Sequence, residues 1–342
     1  MPRWFDHRRP ETARLGGCED THDDGSGRLG EGIRNRAIVV RNGLSERKKV
    51  VEAVGAELES AGLRARIIAR DLGSNAEVAL SPDGALPLAS LVKVPIALAV
   101  LNRIKAGELA ADEQIRVDPA VNSTASPIGA ARFRHPARIA VEDLLTLAVC
   151  FSDNTAADAL LDLVPAREVQ RDLDELGLRG IDVRHRLDAL VSTPLESLDR
   201  SEAHLAYDLA RTRPPHGDGH RIWQLDVSRA NSGTARGLMD LLSELWRPGR
   251  VDPGSAARLR DLMSGNVVRH RIAPDLMSDS AQWSSKTGTL LHLRHEIGVV
   301  DHADGQSIAV VVLSESSNPA AVQPAAEAAL GAAARALHDL LR

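Results

Sequence analysis

Apolar residues follow two different patterns along this chain, one typical of helices and one typical of strands. From residue 88 to 101 almost every position is apolar, which predicts a buried helix. The patterns of 141–149 and 155–163 predict two further helices, and 232–242 predicts a capped amphipathic helix. Near the end of the chain, three segments predict strands, two of them apolar and joined by the hairpin turn 301–305. The three segments are 282–289, 297–300 and 307–313.

The composition is that of an ordinary globular enzyme. Of the 342 residues, 43% are hydrophobic, which is enough for a sizeable core, and the formal net charge of −5 argues against nucleic acid or an anionic membrane as a partner. No run of about 18 apolar residues predicts a transmembrane helix. The N-terminus lacks the apolar stretch of a secretory signal, so we expect a cytoplasmic protein, with export as the alternative if the true start lies elsewhere. We expect a monomer.

The first candidate motif opens the buried helix. Ser90 stands near the helix N-terminus, and Lys93 follows three residues later on the same face. A serine hydroxyl needs a base within hydrogen-bond reach to act as a nucleophile, and burial favours the neutral lysine amine that can serve as this base. The alternative is a capping serine beside a lysine whose charged end reaches water.

The second motif is a polar turn between two predicted helices. Ser152, Asp153 and Asn154 follow one apolar helical segment and precede the next. Such a turn can hold the Ser152 hydroxyl against Lys93 as a proton relay and direct the Asn154 amide toward a substrate carbonyl. The alternative is an ordinary helix cap, because Ser, Asp and Asn are the preferred capping residues.

The third motif lies in the predicted strand 282–289. On an edge strand, Lys286 and Thr287 would bind a substrate carboxylate, and Gly288 would let the substrate backbone lie close. Each of the three motifs is common by itself. Their order, spacing and structural context together indicate an acyl-transfer site.

Three other features carry less chemistry. The glycines of 25–30 match the dinucleotide fingerprint by letter but follow no strand, so we expect no nucleotide cofactor. Residues 216–220 contain His and Asp, yet their glycines and the preceding prolines predict a flexible loop, so we expect no bound metal. Cys18 falls in a polar tail, and Cys150, inside an apolar helix, is expected to be a buried free thiol rather than half of a disulfide.

Taken together, the three motifs resemble those of the class A β-lactamases and their relatives among the penicillin-recognising serine hydrolases. The resemblance covers about residues 48–342. It implies a small-molecule substrate, a β-lactam or a related amide or ester, and an acyl-enzyme at Ser90. The implied catalytic residues are Ser90, Lys93, Ser152 and Lys286.

The resemblance also implies how the substrate is held. The backbone N–H groups of Ser90 and Thr289 would form the oxyanion hole. Arg294 stands near the position where such enzymes carry an arginine for the substrate carboxylate, and Arg271 is a second candidate. The implied substrate-binding residues are Asn154, Thr287, Gly288, Thr289 and Arg294.

The order of elements predicts the fold class, which is α/β plus all-α. By the resemblance, 48–63 is the first helix, 64–72 and 77–80 are the first two strands, and 321–341 is the closing helix. The terminal parts of the chain must then form one antiparallel sheet flanked by N- and C-terminal helices, with a helical lobe inserted, as in the β-lactamase and transpeptidase fold.

These elements predict the domain boundaries. We expect one catalytic domain over 46–342, with an α/β lobe from about 46–88 and 272–342 and a helical lobe from about 89–271. Residues 1–45 are rich in Arg, Asp, Gly and Glu with few large apolar groups, so we expect a mostly disordered extension.

One departure from the family pattern concerns the second half of the reaction. Class A β-lactamases place a glutamate and an asparagine four residues apart in a loop between the second and third motifs, and the glutamate activates the water that clears the acyl-enzyme. No Glu-x-x-x-Asn occurs between residues 154 and 286. The candidate replacements are Asp188, in the corresponding segment 183–194, and Glu196 just downstream.

Three functional hypotheses follow. The first is a serine hydrolase that acts through a Ser90 acyl-enzyme. The second is a penicillin-binding protein or acyltransferase that deacylates slowly, suggested by the missing glutamate. The third is a non-catalytic cytoplasmic regulator or sensor of the same family, suggested by the missing signal sequence.

Overall fold

The structure is a computed structural model that describes residues 29–191, 201, 205, 208 and 219–342, apart from 221, 279 and 319–321. The chain divides after Glu46 into two units, Met1–Glu46 and Arg47–Arg342. Helix α1 spans Leu29–Ser60. The backbone is therefore helical from residue 29, where the polar composition predicts disorder through residue 45. The apolar run 37–40 and the lack of proline between 29 and 60 suit a helix that starts early.

A five-stranded antiparallel sheet forms the centre of the second unit. Its strand order is β2-β1-β10-β9-β8, so the two strands that follow α1 in sequence share a sheet with the three strands at the end of the chain. The strands β1 and β10 pair from Leu63 with Ser316 to Asp71 with Ile308. The bounds are β1 Leu63–Asp71, β2 Glu77–Leu80, β8 Ala281–Leu290, β9 Leu293–His302 and β10 Ser307–Ser316.

Two smaller sheets complete the strands. The order β3-β7-β6 joins a strand just before Ser90 to the segment after residue 231, and β4 pairs with β5. The bounds are β3 Ala85–Pro87, β4 Gln114–Val117, β5 Ala137–Ala140, β6 Ile181–Asp182 and β7 Ser232–Thr234.

The described helices between β3 and β8 form the inserted lobe, and a final helix closes the chain. None of the helices in the described residues is long and apolar enough to cross a membrane. The bounds are α2 Lys93–Ala106, α3 Val141–Cys150, α4 Asn154–Leu163, α5 Ala166–Glu175, α6 Asp188–Val191, α7 Ala235–Trp246, α8 Pro253–Ser264, α9 Ala273–Leu276 and α10 Pro324–Asp339.

The sheet separates two hydrophobic cores, because successive side chains of a strand point to opposite faces. On β10, Val311 and Leu313 pack into the core shared with the inserted helices, whereas Val310 and Val312 pack into the core beneath the terminal helices. Strand β8 lies at the edge of this sheet, where it meets the inserted lobe. The boundary between the lobes thus has the third predicted motif on one side and the first two on the other.

Candidate active site

Ser90 is the accessible point in a long buried segment. Every residue of 86–100 is buried except Ser90, which is partly exposed. Ala89, just before it, has a φ of 49° in the left-handed region, and Ala89–Val92 form a 3₁₀ helix that leads into α2. A non-glycine residue in this conformation costs roughly 1–2 kcal/mol, so tertiary contacts must hold the turn. The sharp turn exposes the hydroxyl at the start of the apolar helix.

A buried histidine on the sheet provides one of these contacts. The Nε2 of His295 donates to the Pro87 carbonyl at 2.9 Å, and its Nδ1 accepts from the Ser314 backbone N–H at 3.0 Å. Burial lowers the pKa of His295 to about 3, so the ring is neutral and both bonds are satisfied by one tautomer. His295 therefore ties β9 to the turn that carries Ser90, a role that its sequence context does not reveal.

The amine of Lys93 is fully buried and has four oxygen neighbours. Its Nζ lies 2.6 Å from the Ser152 carbonyl oxygen and 2.7 Å from Asn154 Oδ1, two groups that can only accept. The remaining neighbours are hydroxyls, Ser90 Oγ at 3.1 Å and Ser152 Oγ at 3.3 Å. A neutral amine has two N–H groups and one lone pair, so it can donate to both carbonyls and accept from a hydroxyl. The arrangement suits a base for Ser90.

The protonation of Lys93 agrees with this geometry. Burial lowers its pKa to about 7, although the nearby carboxylates of Asp153 and Asp158 act in the opposite direction. A base with a pKa near the working pH combines a large neutral fraction with useful proton affinity.

Ser152 links Lys93 to the third motif. Its hydroxyl lies 3.3 Å from Lys93 Nζ and accepts from Lys286 Nζ at 2.9 Å. Ser152 has a φ of 59°, also left-handed, and it follows Phe151, the C-cap residue of α3. Burial lowers the pKa of Lys286, and the neighbouring amine of Lys93 lowers it further. One hydroxyl between two amines is the chain of groups that a proton relay requires.

The other residues of the second motif hold it in place. Asp153 caps α4 by accepting from the backbone N–H groups of Thr155 at 2.9 Å and Ala156 at 3.3 Å. The Asn154 amide donates through Nδ2 to the Ala125 carbonyl at 2.8 Å, which fixes its oxygen toward Lys93. The capping interpretation and the catalytic interpretation are thus compatible, because Asp153 caps the helix while its neighbours face the site.

The third motif approaches the serine turn very closely. A Cβ atom at Gly288 would lie 2.8 Å from the Leu88 carbonyl oxygen and 3.1 Å from Leu91 Cγ. Glycine is therefore required here by the packing of β8 on the Ser90 turn, whereas its predicted role toward a substrate backbone stays a prediction. Thr287 is buried and Thr289 is exposed at the strand edge.

The two candidate arginines occupy different positions. Arg294 is 1% exposed, and its Nη1 donates to the carbonyls of Leu291 at 2.6 Å and Leu293 at 2.8 Å. This geometry does not favour Arg294 as a substrate ligand. Its predicted role in binding the substrate carboxylate stays a prediction. Arg271 reaches the exposed edge of β8, where its Nη2 donates to Thr289 Oγ1 at 2.7 Å.

An aspartate that the motifs do not include anchors the loop after β6. The buried carboxylate of Asp158 accepts from the backbone N–H groups of Leu187 at 2.6 Å and Asp188 at 2.9 Å, and from Thr124 Oγ1 at 2.5 Å. Burial raises the pKa of Asp158. An acidic residue on an otherwise apolar helical face, one turn after Asn154, is the signal in the sequence that points to such an anchor.

The roles of Asp188 and Glu196 as deacylation bases stay predictions. The Asp188 carboxylate is about half exposed and accepts from Arg186 Nε at 3.3 Å. Arg186 also pairs with Asp162 and donates to the Asp158 carbonyl, on the part of α4 that leads away from Asn154. Glu196 lies outside the described residues, as does Cys18. Within the described part of the chain, the hydrogen-bond partners of Ser90 and Lys93 include no carboxylate.

Possible metal ligands and the cysteines are the remaining features that the sequence singles out. Among the residues it describes, no three His, Cys, Asp or Glu side chains converge so that they could hold a metal ion. Most of 216–220 and of 25–30 lies outside those residues. Cys150 is buried with a free thiol, and its Sγ contacts the Leu262 carbonyl at 3.1 Å.

Sequence comparisons relate the chain to two kinds of protein. A profile of the beta-lactamase enzyme family matches residues 47–341. A beta-lactamase regulatory protein, BlaB from Streptomyces cacaoi, is 51% identical over 296 residues, which cover 83% of this chain and 95% of that protein. The beta-lactamase VEB-1 from Pseudomonas aeruginosa is 36% identical over 87 residues, 25% of this chain and 29% of that enzyme.

Solved structures share the fold. A beta-lactamase from Chitinophaga pinensis superposes with a TM-score of 0.68 at 19% identity, covering 86% of this chain and 100% of that one. A class A beta-lactamase from Mycobacterium abscessus also has a TM-score of 0.68, at 18% identity over 85% of this chain and 99% of that one. PBP-A, solved in a mutant form as its acyl-enzyme with penicillin G, has a TM-score of 0.66 at 18% identity, over 86% of this chain and 95% of that one. The predicted fold class is confirmed.

Proposed function

The chain belongs to the beta-lactamase enzyme family, and from this premise we propose that it recognises a β-lactam or a related amide or ester, forms an acyl-enzyme at Ser90 and hydrolyses that acyl-enzyme slowly. The observation that carries the proposal is the environment of Lys93 Nζ. Two carbonyl oxygens take its N–H groups, and the hydroxyls of Ser90 and Ser152 lie at 3.1 and 3.3 Å on the remaining side. A buried lysine with a pKa of about 7 and this arrangement is suited to deprotonate the serine.

The reaction would begin when Ser90 Oγ attacks the substrate carbonyl carbon while its proton passes to Lys93. The new Oγ–C bond forms as the carbonyl π electrons move onto oxygen, which the N–H groups of Ser90 and Thr289 would stabilise. The proton would then travel through Ser152 Oγ to the leaving nitrogen or oxygen as its bond to carbon breaks. Lys286, at 2.9 Å from Ser152 Oγ, would assist this transfer and attract the substrate carboxylate.

Slow hydrolysis of the adduct is the second part of the proposal. Deacylation needs a base that activates a water near the ester carbonyl, typically worth about a hundred- to ten-thousand-fold in rate. The family's Glu-x-x-x-Asn pattern is missing between 154 and 286, and Asp188 is paired with Arg186. Both observations favour an adduct that persists.

A second candidate function is a β-lactam-responsive regulator. It is favoured by the 51% identity to a beta-lactamase regulatory protein over 95% of that protein's length. A long-lived adduct at Ser90 suits a sensor, since the acylated state itself would be the signal. In this version, the chemistry at Ser90 is the same and only the use of the adduct differs.

Intact-protein mass spectrometry after mixing with penicillin G tests the proposal. We expect a mass increase of one intact penicillin, mapped by peptide digestion to the peptide that contains Ser90. Ser74→Ala, at an exposed serine on the turn after β1, is the matched control and should label normally. No adduct in the unchanged protein, or an adduct on another residue, would contradict the proposal.

A further inference from the structure

Arg271 contacts Gly288 and Thr289, the two residues that share one peptide group at the edge of β8. Its Nη1 donates to the Gly288 carbonyl at 3.3 Å, and its Nη2 donates to Thr289 Oγ1 at 2.7 Å. The Gly288 carbonyl and the Thr289 N–H belong to the same planar trans peptide, so they point in opposite directions. The guanidinium therefore sits at the carbonyl end of the peptide whose N–H is the proposed oxyanion donor.

The direction of that N–H follows from a further contact. Arg271 Nη1 also donates to the His295 carbonyl of β9 at 2.8 Å, and Gly288 pairs with His295 in the ladder. The Gly288 carbonyl thus points toward the β9 side. The Thr289 N–H points the other way, toward the open edge of the sheet, because β8 is its last strand.

The guanidinium is fixed and little screened by solvent. Arg271 is 2% exposed, and its Nε donates to Glu327 Oε1 on α10 at 3.1 Å. The next residue, Ile272, donates its N–H to the buried carboxylate of Glu296 at 3.0 Å. In such surroundings a cation interacts more strongly with a peptide dipole than it would in water.

These bonds also leave the side chain poorly suited to bind a substrate carboxylate. An arginine has five N–H groups, and bidentate binding of a carboxylate uses two parallel ones. Four of the five N–H groups of Arg271 donate to Glu327, Gly288, His295 and Thr289. The one remaining N–H group, on Nη2, cannot by itself form the bidentate contact with a carboxylate.

We propose that Arg271 is a positioning residue of the oxyanion hole, which orients and polarises the Thr289 N–H through the carbonyl of Gly288. A cationic donor on a carbonyl draws electron density toward the oxygen and increases the positive charge on the N–H of the same peptide. The effect is needed when Ser90 attacks and the substrate oxygen gains negative charge. This inference rests on the proposed function, because it concerns the same acyl-enzyme.

Arg271→Gln is the test, with two readouts. The first is the carbonyl stretching frequency of the acyl-enzyme ester, measured by infrared difference spectroscopy with penicillin G labelled with ¹³C at the β-lactam carbonyl. We expect a higher frequency in Arg271→Gln, because a weaker oxyanion hole polarises the ester less. The second is the acylation rate with penicillin G and with its methyl ester, which lacks the carboxylate. We expect the acylation rate to fall by about ten- to a hundredfold, equally for penicillin G and for its methyl ester. This loss is smaller than the hundred- to thousandfold loss that removal of an oxyanion-hole N–H donor causes.

The control variants separate this role from a structural one. Arg236→Gln removes an arginine paired with Glu77 and Asp83 at the other side of the sheet and should leave both readouts unchanged. If Arg271→Gln alone does not fold, Arg271→Gln/Glu327→Gln replaces the ion pair with two amides, and Glu327→Gln is its matched single variant. The double variant should then show the higher frequency and the slower acylation relative to Glu327→Gln.

Each remaining result overturns the inference. A loss confined to penicillin G would mean that Arg271 binds the substrate carboxylate, and an unchanged frequency would mean that it does not act on the oxyanion hole. In both cases the Ser90 adduct of the unchanged protein still stands, so the proposed function survives. If the unchanged protein forms no adduct with penicillin G or with its methyl ester, the proposed function fails and the inference fails with it.

Discussion

The turn that carries Ser90 and the loop after β6 are both held firmly, but only the first directs chemical groups to one point. Around Ser90, two hydroxyls and two amines alternate in a chain, and each group lies within 3.3 Å of the next. In the loop, the carboxylate of Asp158 fixes the backbone of Leu187 and Asp188 just as tightly. The Asp188 side chain, however, pairs with Arg186 and is half exposed.

The difference separates the two halves of an acyl-transfer reaction. Forming an acyl-enzyme needs a nucleophile, a base and a relay, which are the groups that surround Lys93. Clearing it needs a further base for water, and in the described part of the loop the Asp188 carboxylate is paired with Arg186 instead. A protein that has the groups for acylation but a weak base for water keeps its acyl group.

Ser90→Ala should remove the first half altogether. The hydroxyl is the attacking atom, so we expect complete loss of covalent labelling by penicillin, measured by intact-protein mass. The fold should survive, because one hydroxyl at a partly exposed position is lost, and the circular dichroism spectrum and melting temperature check this. Labelling that persists in Ser90→Ala would assign the nucleophile to another residue.

Lys93→Ala should slow acylation by about a hundred- to ten-thousandfold, the usual worth of a positioned base. The rate is measured by quenched-flow mass spectrometry. Because the variant leaves a cavity at a buried position, Lys93→Met serves as a shape-matched variant that should be equally slow. An unchanged rate in both variants would mean that another residue accepts the Ser90 proton.

Gly288→Ala should separate the third motif from the serine turn. The added Cβ would lie 2.8 Å from the Leu88 carbonyl oxygen, so β8 must shift. Misplacement of a catalytic group by about 1 Å typically costs on the order of a hundredfold. Gly55→Ala, whose nearest neighbours are 3.7 Å away, is the control and should acylate normally. Equal acylation rates in the two variants would contradict the close packing described here.

Acylation should also depend on pH through Lys93. Burial lowers the pKa of Lys93 to about 7, and the protonated form has no lone pair with which to accept the Ser90 proton. The acylation rate should therefore fall about tenfold for each pH unit below 7 and level off above it. Rates between pH 5.5 and 9 test this, and a profile that is flat or that falls with rising pH would contradict the assignment of Lys93 as the base.

Asp188→Asn and Glu196→Gln should have the smallest effects. If neither carboxylate activates water, the lifetime of the acyl-enzyme should change by less than about threefold in each variant. An exposed ion pair such as that of Asp188 contributes only about 0–1 kcal/mol, so stability should hardly change either. A much longer lifetime in one variant would identify the deacylation base and remove the contrast between the two regions.

The residues of the first region were the easier ones to predict from the sequence. Ser90 and Lys93 are polar residues in an otherwise apolar run, and Lys286 precedes Gly288 on a strand, so local patterns carry the information. The fold followed from the order of strands and helices. The N–H groups proposed for the oxyanion hole are also local to these motifs.

The remaining contacts depend on tertiary structure. His295 and Arg271 act on backbone carbonyls of other segments, and no spacing in the sequence relates them to Pro87 or Gly288. The left-handed turn at Ala89 has no glycine to indicate it. The resemblance puts Arg294 near the position of the family's arginine, but the structure buries its side chain against the backbone.

The lifetime of the acyl group on Ser90 tests the central claim most directly. The protein is mixed with penicillin G for a few seconds, excess β-lactam is removed by a fast β-lactamase that is itself later separated, and the acylated mass is followed over time. The account predicts near-complete acylation followed by an adduct that persists for minutes or longer. An adduct that disappears within seconds would show that a carboxylate does serve the second half-reaction, and the proposed contrast between the two regions would be wrong.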